Sequence, residues 1–348
     1  MIESNGMPLS PAAKRFSVIV AAALLATGIG AGGFYLYRNH SALPGIATQI
    51  PEIAANLPAD APVGAYIDVS ALRKLQNSPL AAFLGLSGAG PAEDREYQQF
   101  VRDTGFDYSR DLDRVAIAAW PDDSLPQKSA GGGNSRMVAI AEGRFNHQKI
   151  EAYALRSGKI DRHGGISIYE IPGDPEFAFE FISASRIIFA SGPGASDQIL
   201  ATQSAASKTT GLQVSGNAPV FAVVRAAGLP ASFYADFQQS PQIERLIHSI
   251  EKLTLTGQPQ GNQFAATLDA ECDSEKNALE ISILLDGARV IGGAALADPK
   301  TRKEMTKQQS AFLNDLLGVA KISHDGRSVL LSFTITPEML ATPAQPSH

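Results

Sequence analysis

Residues Ile166 to Ala190 read ISIYEIPGDPEFAFEFISASRIIFA, and this stretch decides the fold class. Ile166 to Ile171 and Phe177 to Ile182 alternate with a period of two, the pattern of half-buried strands. Arg186 to Ala190 is a short apolar run stopped by Gly192, Pro193 and Gly194. The connections are too short for a crossover helix, so the strands are expected as antiparallel neighbours. A helix from Ala195 to Gln203 follows. Upstream, His147 to Arg156 sets Ile150, Tyr153 and Ala154 at helical spacing, with Gly158 beyond its end. Val115 to Trp120 and Met137 to Gly143 read as strands joined by a long loop containing Gly131, Gly132 and Gly133. Strands in groups, without strict strand-helix alternation, predict an α+β fold of antiparallel sheets packed with helices.

Further toward the amino end, Leu57-Pro58-Ala59-Asp60-Ala61-Pro62 is rich in turn residues and leads into a strand, Val63 to Val69. Ser70 to Leu75 starts a helix, and Ser78-Pro79 starts another with Leu80, Phe83 and Leu84 on one face. Ala92 to Thr104 carries Tyr97, Phe100 and Val101 at helical spacing and ends at Gly105. Beyond the polar run Ala205 to Gly216, Ala218-Pro219-Val220-Phe221-Ala222-Val223-Val224 echoes Ala61-Pro62-Val63-Gly64-Ala65-Tyr66-Ile67. Ser240-Pro241 then opens a helix as Ser78-Pro79 does, with Ile243, Leu246, Ile247 and Ile250 inward. Leu253 to Thr256, Gln263 to Cys272 and Ala278 to Leu285 read as a meander, with turns at Gly257 to Asn262 and Asp273 to Asn277. The echo suggests two similar α+β units, 58–204 and 217–342, although one shared turn-strand-helix pattern also arises by chance.

At the carboxy end, Asp298 and Pro299 form a favourable start for a helix whose Met305, Phe312, Leu313, Leu316 and Leu317 make one stripe ending at Gly318. Lys300, Arg302, Lys303 and Lys307 read as its solvated face, with contact to an acidic surface as the alternative. Lys321 to Ser323 and Ser328 to Thr336 flank the hairpin signal Asp325-Gly326, with Val329, Leu331, Phe333 and Ile335 toward the core.

At the other end, Ser17 to Tyr37 contains no charged residue and is bracketed by Lys14, Arg15 and Arg38. At about 1.5 Å per residue it covers about 31 Å, enough to span a bilayer. The basic flank places residues 1–16 in the cytoplasm and the bulk of the chain outside. A cleaved signal peptide is the competing reading. The apolar run continues past its small residues through Phe34, Tyr35, Leu36 and Tyr37, which favours retention. Gly28 and Gly32 stand four apart, a spacing that permits close helix approach and is common without it. Residues 38–57, with Pro44, Gly45 and Pro51, read as a stalk, within which Pro51 to Asn56, with Ile53 as its apolar residue, can form a short helix without changing that role.

Composition narrows the function. Lys plus Arg number 29 against 35 Asp plus Glu, a net charge of −6, so nucleic acid is not an expected partner. The single cysteine, Cys272, rules out an intramolecular disulfide framework and reads as a small buried apolar residue. The six histidines are scattered, no GxxxxGK[ST] or HExxH occurs, and Gly85-Leu86-Ser87-Gly88-Ala89 lacks the last glycine of a nucleophile elbow. No catalytic or cofactor-binding residue is assigned. The one acidic constellation is DTGFDYSRDLD, Asp103 to Asp113. Asp107, Asp111 and Asp113 are the weak calcium candidates, but the spacing departs from a calcium loop, and Arg102, Arg110 and Arg114 are interleaved to pair with the acids. A turn or cap formed by Asp107 and Ser109 is the simpler reading.

Thr104 to Ala119 (TGFDYSRDLDRVAIAA), Leu57 to Val69 (LPADAPVGAYIDV) and Lys321 to Ile335 (KISHDGRSVLLSFTI) resemble an uncharacterised class of bacterial envelope proteins. Those combine one amino-terminal span with a duplicated extracytoplasmic α+β region. The resemblance, covering about Leu57 to Thr336, implies architecture and an inner-membrane location with the amino terminus inside, and carries over no catalytic residue. The expected function is that of a membrane-anchored, non-enzymatic binding or scaffold protein whose partners are the bilayer, through Ser17 to Tyr37, and an envelope protein or component. The alternative is an envelope hydrolase whose site is assembled from residues distant in sequence.

Overall fold

In a computed structural model, residues 52–73, 95–121, 135–173, 175–205, 218–231, 241–297 and 307–340 are described. The expected span Ser17 to Tyr37, the Ser78-Pro79 helix start, the Gly131 loop and the Asp298-Pro299 cap lie outside them. Among the described residues no helix is long and apolar enough to cross a membrane.

The chain runs α1 (Glu52–Ala55), β1 (Val63–Asp68), α2 (Val69–Arg73), α3 (Arg95–Thr104), α4 (Tyr108–Asp111), β2 (Leu112–Trp120), β3 (Arg136–Gly143) and α5 (His147–Ala154). Next come β4 (Lys159–His163), β5 (Ile166–Ile171), β6 (Phe177–Ser183), β7 (Arg186–Ser191) and α6 (Ala195–Ala205). The rest is β8 (Val220–Arg225), a 3₁₀ turn at Ala226–Gly228, α7 (Pro241–His248), β9 (Ile250–Gln260), β10 (Gln263–Cys272), α8 (Glu275–Ala297), α9 (Lys307–Val319), β11 (Lys321–Asp325), β12 (Ser328–Ile335) and α10 (Pro337–Leu340). Among the described residues the strands form one 12-stranded sheet in the order β11-β12-β10-β9-β8-β1-β2-β3-β7-β6-β5-β4, with antiparallel neighbours throughout. This is an α+β fold in which one sheet passes through both stretches expected as separate units.

At the middle of the sheet, the two segments that echo one another in sequence lie side by side. Ala65 pairs with Ala222, and the register runs evenly from Val63↔Val224 to Ile67↔Val220. Reciprocal hydrogen bonds close both ends: Asp68 N–H donates to Pro219 O at 2.6 Å, and Arg225 N–H to Pro62 O at 2.7 Å. From this contact the strand order outward is β1-β2-β3-β7-β6 one way and β8-β9-β10-β12-β11 the other. The first arm carries β5 and β4 beyond β6, whereas β11 ends the second.

Because side chains alternate across a strand, the core divides between the two faces. One face carries Tyr66, Ala116, Ala118, Val138, Ile140, Ile188 and Phe221, covered by α1 and α6 through Ile53, Ala54, Ala195 and Ile199. The other carries three clusters, under α2 and α9 (Ala65, Ala222, Phe264, Ile335), under α5 (Ala141, Tyr169, Phe179), and under α7 and α8 (Ala270, Cys272, Val329).

Three expectations are corrected. Ala278 to Leu285 is not a strand but part of α8. Ser274 Oγ accepts from Asn277 N–H at 3.3 Å, an N-terminal cap, and the buried positions Ala278, Ile281 and Ser282 follow helical spacing. The stalk stops short of Leu57, since Ile53, Ala54 and Leu57 are buried and Arg186 holds Glu52 with two hydrogen bonds of 2.9 and 3.3 Å. The turn expected over Gly257 to Asn262 is shorter, because β9 runs on to Gln260 and leaves only Gly261 and Asn262 between the strands. Lys159–His163, to which the sequence pattern assigned no element, is the outermost strand β4.

Candidate functional site

The acidic stretch is a corner where α3, α4 and β2 meet, and the structure engages each acid separately. Asp107 caps α4: its Oδ1 accepts from Ser109 N–H at 2.9 Å, Ser109 Oγ at 2.7 Å and Tyr97 Oη at 3.1 Å. Tyr97 Oη in turn accepts from Tyr108 N–H at 3.3 Å, and burial beside Asp107 pushes its phenol pKa upward. Asp111 is buried. Its carboxylate takes two hydrogen bonds from Arg110, at 2.9 and 2.6 Å, and one from Asp107 N–H at 3.0 Å, with Arg144 Nε at 3.4 Å. The Arg110 guanidinium is the main reason its pKa falls to about 2.

Asp113 lies apart on β2 and pairs with Arg73 at 3.3 Å, while Asp103 pairs with Arg156. Asp107 and Asp111 thus meet through a backbone hydrogen bond, Asp113 does not join them, and the oxygens a cation would need are taken by donors. Among the described residues no three His, Cys, Asp or Glu side chains converge as a metal site. The corner is a capping and ion-pair joint, in line with the turn reading.

The remaining residues of chemical interest are dispersed. Cys272 is buried on β10, and burial pushes its thiol pKa up to about 11. His147 stacks on Phe181 with ring centroids 3.8 Å apart, and His163 lies 2.8 Å from Asp161. A shallow groove of about 270 Å³ between β8, β9 and α7 is lined by Val224, Ala226, Leu229, Ile247, Ile250, Leu253 and Lys252. Its lining offers no hydroxyl, thiol, imidazole or carboxylate for nucleophilic or acid-base chemistry. The Lys252 ammonium is engaged by Glu271.

The surface that stands out is α8. One side of this 23-residue helix packs over β10, β12 and β11, and a flank touches α9. Away from them, Leu279, Ile283 and Val290 are 42%, 64% and 60% exposed. Their spacing of four and then seven residues puts them within one narrow stripe. They form an exposed apolar stripe on a helix that buries its other side. The strand reading of Ala278 to Leu285 hid it. The signal was present in the run Leu279, Ile283 and Val290 following the Ser274 cap.

No protein-family profile matches the chain, and no curated protein matches it in sequence. Among solved structures, TP0453 in crystal form III overlays with TM-score 0.45 and 13% identity, covering 86% of this chain and 97% of that one. Crystal form IV gives 0.45 and 13% over 84% and 95%, and form I gives 0.42 and 12% over 84% and 96%. Such a likeness is weak and assigns no function.

Proposed function

We propose that this chain is a membrane-tethered extracytoplasmic protein of the bacterial envelope that acts by binding another protein rather than by catalysis. The observation that carries the reading is the exposed stripe of Leu279, Ile283 and Val290 on α8. The stretch Ser17 to Tyr37, with Lys14 and Arg15 before it, supports a tether with the fold outside. Since Glu52 to Leu57 already belong to the fold, the link from the tether is at most residues 38–51, which fully extended reach at most about 50 Å. The fold then works close to the bilayer surface. The reciprocal Ala65–Ala222 contact and the matched strand orders on either side of it support an internal duplication in which the arm ending at β11 became the binding arm.

The test is a photo-activatable residue placed in turn at Ile283, at Val290 and, as control, at Asn262 in the exposed β9–β10 turn of the full chain, irradiated in native membranes. The expected result is a discrete protein adduct from both α8 positions and none from Asn262. No adduct from α8, or the same adducts from all three positions, refutes the reading.

A further inference from the structure

The geometry points to a second copy of this chain as the protein bound at this surface, joined antiparallel along β11 so that the sheet continues from one copy to the next. This rests on the reading of α8 as a protein-binding surface and adds an independent observation, the chemistry of the sheet edge. Among the described residues β11 is the last strand of its arm, and Lys321, Ser323, His324 and Asp325 are all exposed. The register Asp325↔Ser328 closes a two-residue turn at Gly326-Arg327. In such a hairpin the closing pair is hydrogen-bonded, so Lys321, Ser323 and Asp325 turn their backbone groups toward β12. Ile322 and His324 turn theirs to the outer edge, where no described strand pairs with them.

An exposed edge is usually blunted by charge, and β4 at the other end of the sheet fits that rule. Paired with itself about its middle residue, β4 (Lys159-Ile-Asp-Arg-His163) sets Asp161 against Asp161 of the second copy and Lys159 against its His163. β11 (Lys321-Ile-Ser-His-Asp325) behaves oppositely. Centred on Ser323, self-pairing sets Lys321 against Asp325 of the second copy, twice by symmetry, with serine against serine on the axis. This register also makes Ile322 and His324 the hydrogen-bonded pair, as the outward backbone groups require, so charge and backbone agree on one arrangement.

A five-residue edge is too small for a stable interface, which buries about 1,200 Å² or more. α8 supplies the rest: it lies over β11 and leaves Leu279, Ile283 and Val290 exposed, so two copies joined there hold their α8 helices on one face of the shared sheet, on either side of the axis. The contact is isologous and therefore closes at two copies.

The test is a cysteine on the axis. Residues paired directly across antiparallel strands fall within the Cα separation that a disulfide spans, and Cys272 is buried, so the native chain contributes little background. Full-length Ser323→Cys, mildly oxidised in its membranes, is expected to form a disulfide-linked dimer while Asp161→Cys stays monomeric. Adding Lys321→Asp is expected to cut the yield several-fold, and adding Asp325→Lys to that variant to restore it. A monomeric Ser323→Cys chain, equal crosslinking of both cysteines, or no rescue overturns the proposal. The mass of the unmodified full-length protein in mild detergent is a second measurement: a dimer is expected, and a monomer overturns it. A heterologous adduct from Ile283 with a monomeric Ser323→Cys chain rejects self-association and keeps the binding reading. The absence of any adduct rejects both.

Discussion

Replacing Ile53 by alanine tests where the tether ends and the fold begins. Ile53 is 1% exposed in the cluster formed with Tyr66, Ile140, Ile188 and Phe221, although it sits on a single helical turn beside a segment read from sequence as stalk. The substitution removes three carbons, about 2.4 kcal/mol at about 0.8 kcal/mol each, and a residual cavity adds to this. Because so short a helix can shift inward, the total is set near the lower part of the usual range, about 3 kcal/mol. Over the 224 described residues, an unfolding entropy of about 2.1 cal/mol/K per residue gives about 0.5 kcal/mol/K, so the melting temperature drops by about 6 °C. Trp120, the only tryptophan, packs against the same cluster, and its fluorescence reports the transition directly. Glu52→Ala is the control. The carboxylate is mostly exposed, so losing its pair with Arg186 is expected to change the melting temperature little. An Ile53→Ala chain that melts within about 1 °C of the parent refutes the packing of α1 into the core.

Gly192→Ala is expected to destabilise by about 2–4 kcal/mol, read as a lower denaturation midpoint, because Gly192 has φ +99° and a Cβ there lies 2.2 Å from Ser135 O. Asp111 has its pKa depressed to about 2, so the stability it contributes is complete at neutral pH and is lost as pH falls from about 4 through about 2. Acid titration of the melting temperature is expected to show a step in that window that is absent in Asp111→Asn, and Asp111→Asn itself is expected to be less stable at pH 7 by about 2 kcal/mol. Cys272, buried and with its thiol pKa raised to about 11, is expected to react with a thiol reagent at pH 7 only at the rate of unfolding. Fast labelling of the folded chain at that pH contradicts its burial.

The strands with clear alternation were legible in the sequence. In the alternating run Phe264, Ala266, Leu268, Ala270 and Cys272, all but the half-buried Leu268 lie buried, and β2, β3, β5, β6 and β7 occupy nearly the expected residues. Asp107 caps α4 as its place before Ser109 suggested. Other elements were hidden for specific reasons. Ala-Leu-Glu-Ile-Ser-Ile-Leu-Leu from Ala278 fits a period of two as well as one of 3.6, and only its packing on Cys272 and Val329 selects the helix. β4 has one apolar residue among charged ones, because an edge strand has little to bury. Glu52 to Leu57 is apolar at Ile53, Ala54, Ala55 and Leu57 but spans little more than one helical turn between prolines, and its burial depends on space left between the sheet and α6.

The sequence by itself determined the local structure, the α+β class and the net charge, because periodicity, caps and turn residues act over a few neighbours. It also held the echo of Ala61 to Ile67 in Ala218 to Val224. Only the tertiary structure decided that those two segments pair with each other at the middle of one sheet, since pairing across that separation is set by long-range packing and leaves no local mark. It alone left β11 at an edge under a helix with an exposed apolar stripe. Whether a surface is free depends on what the rest of the chain covers, and that is settled only when the whole chain has folded.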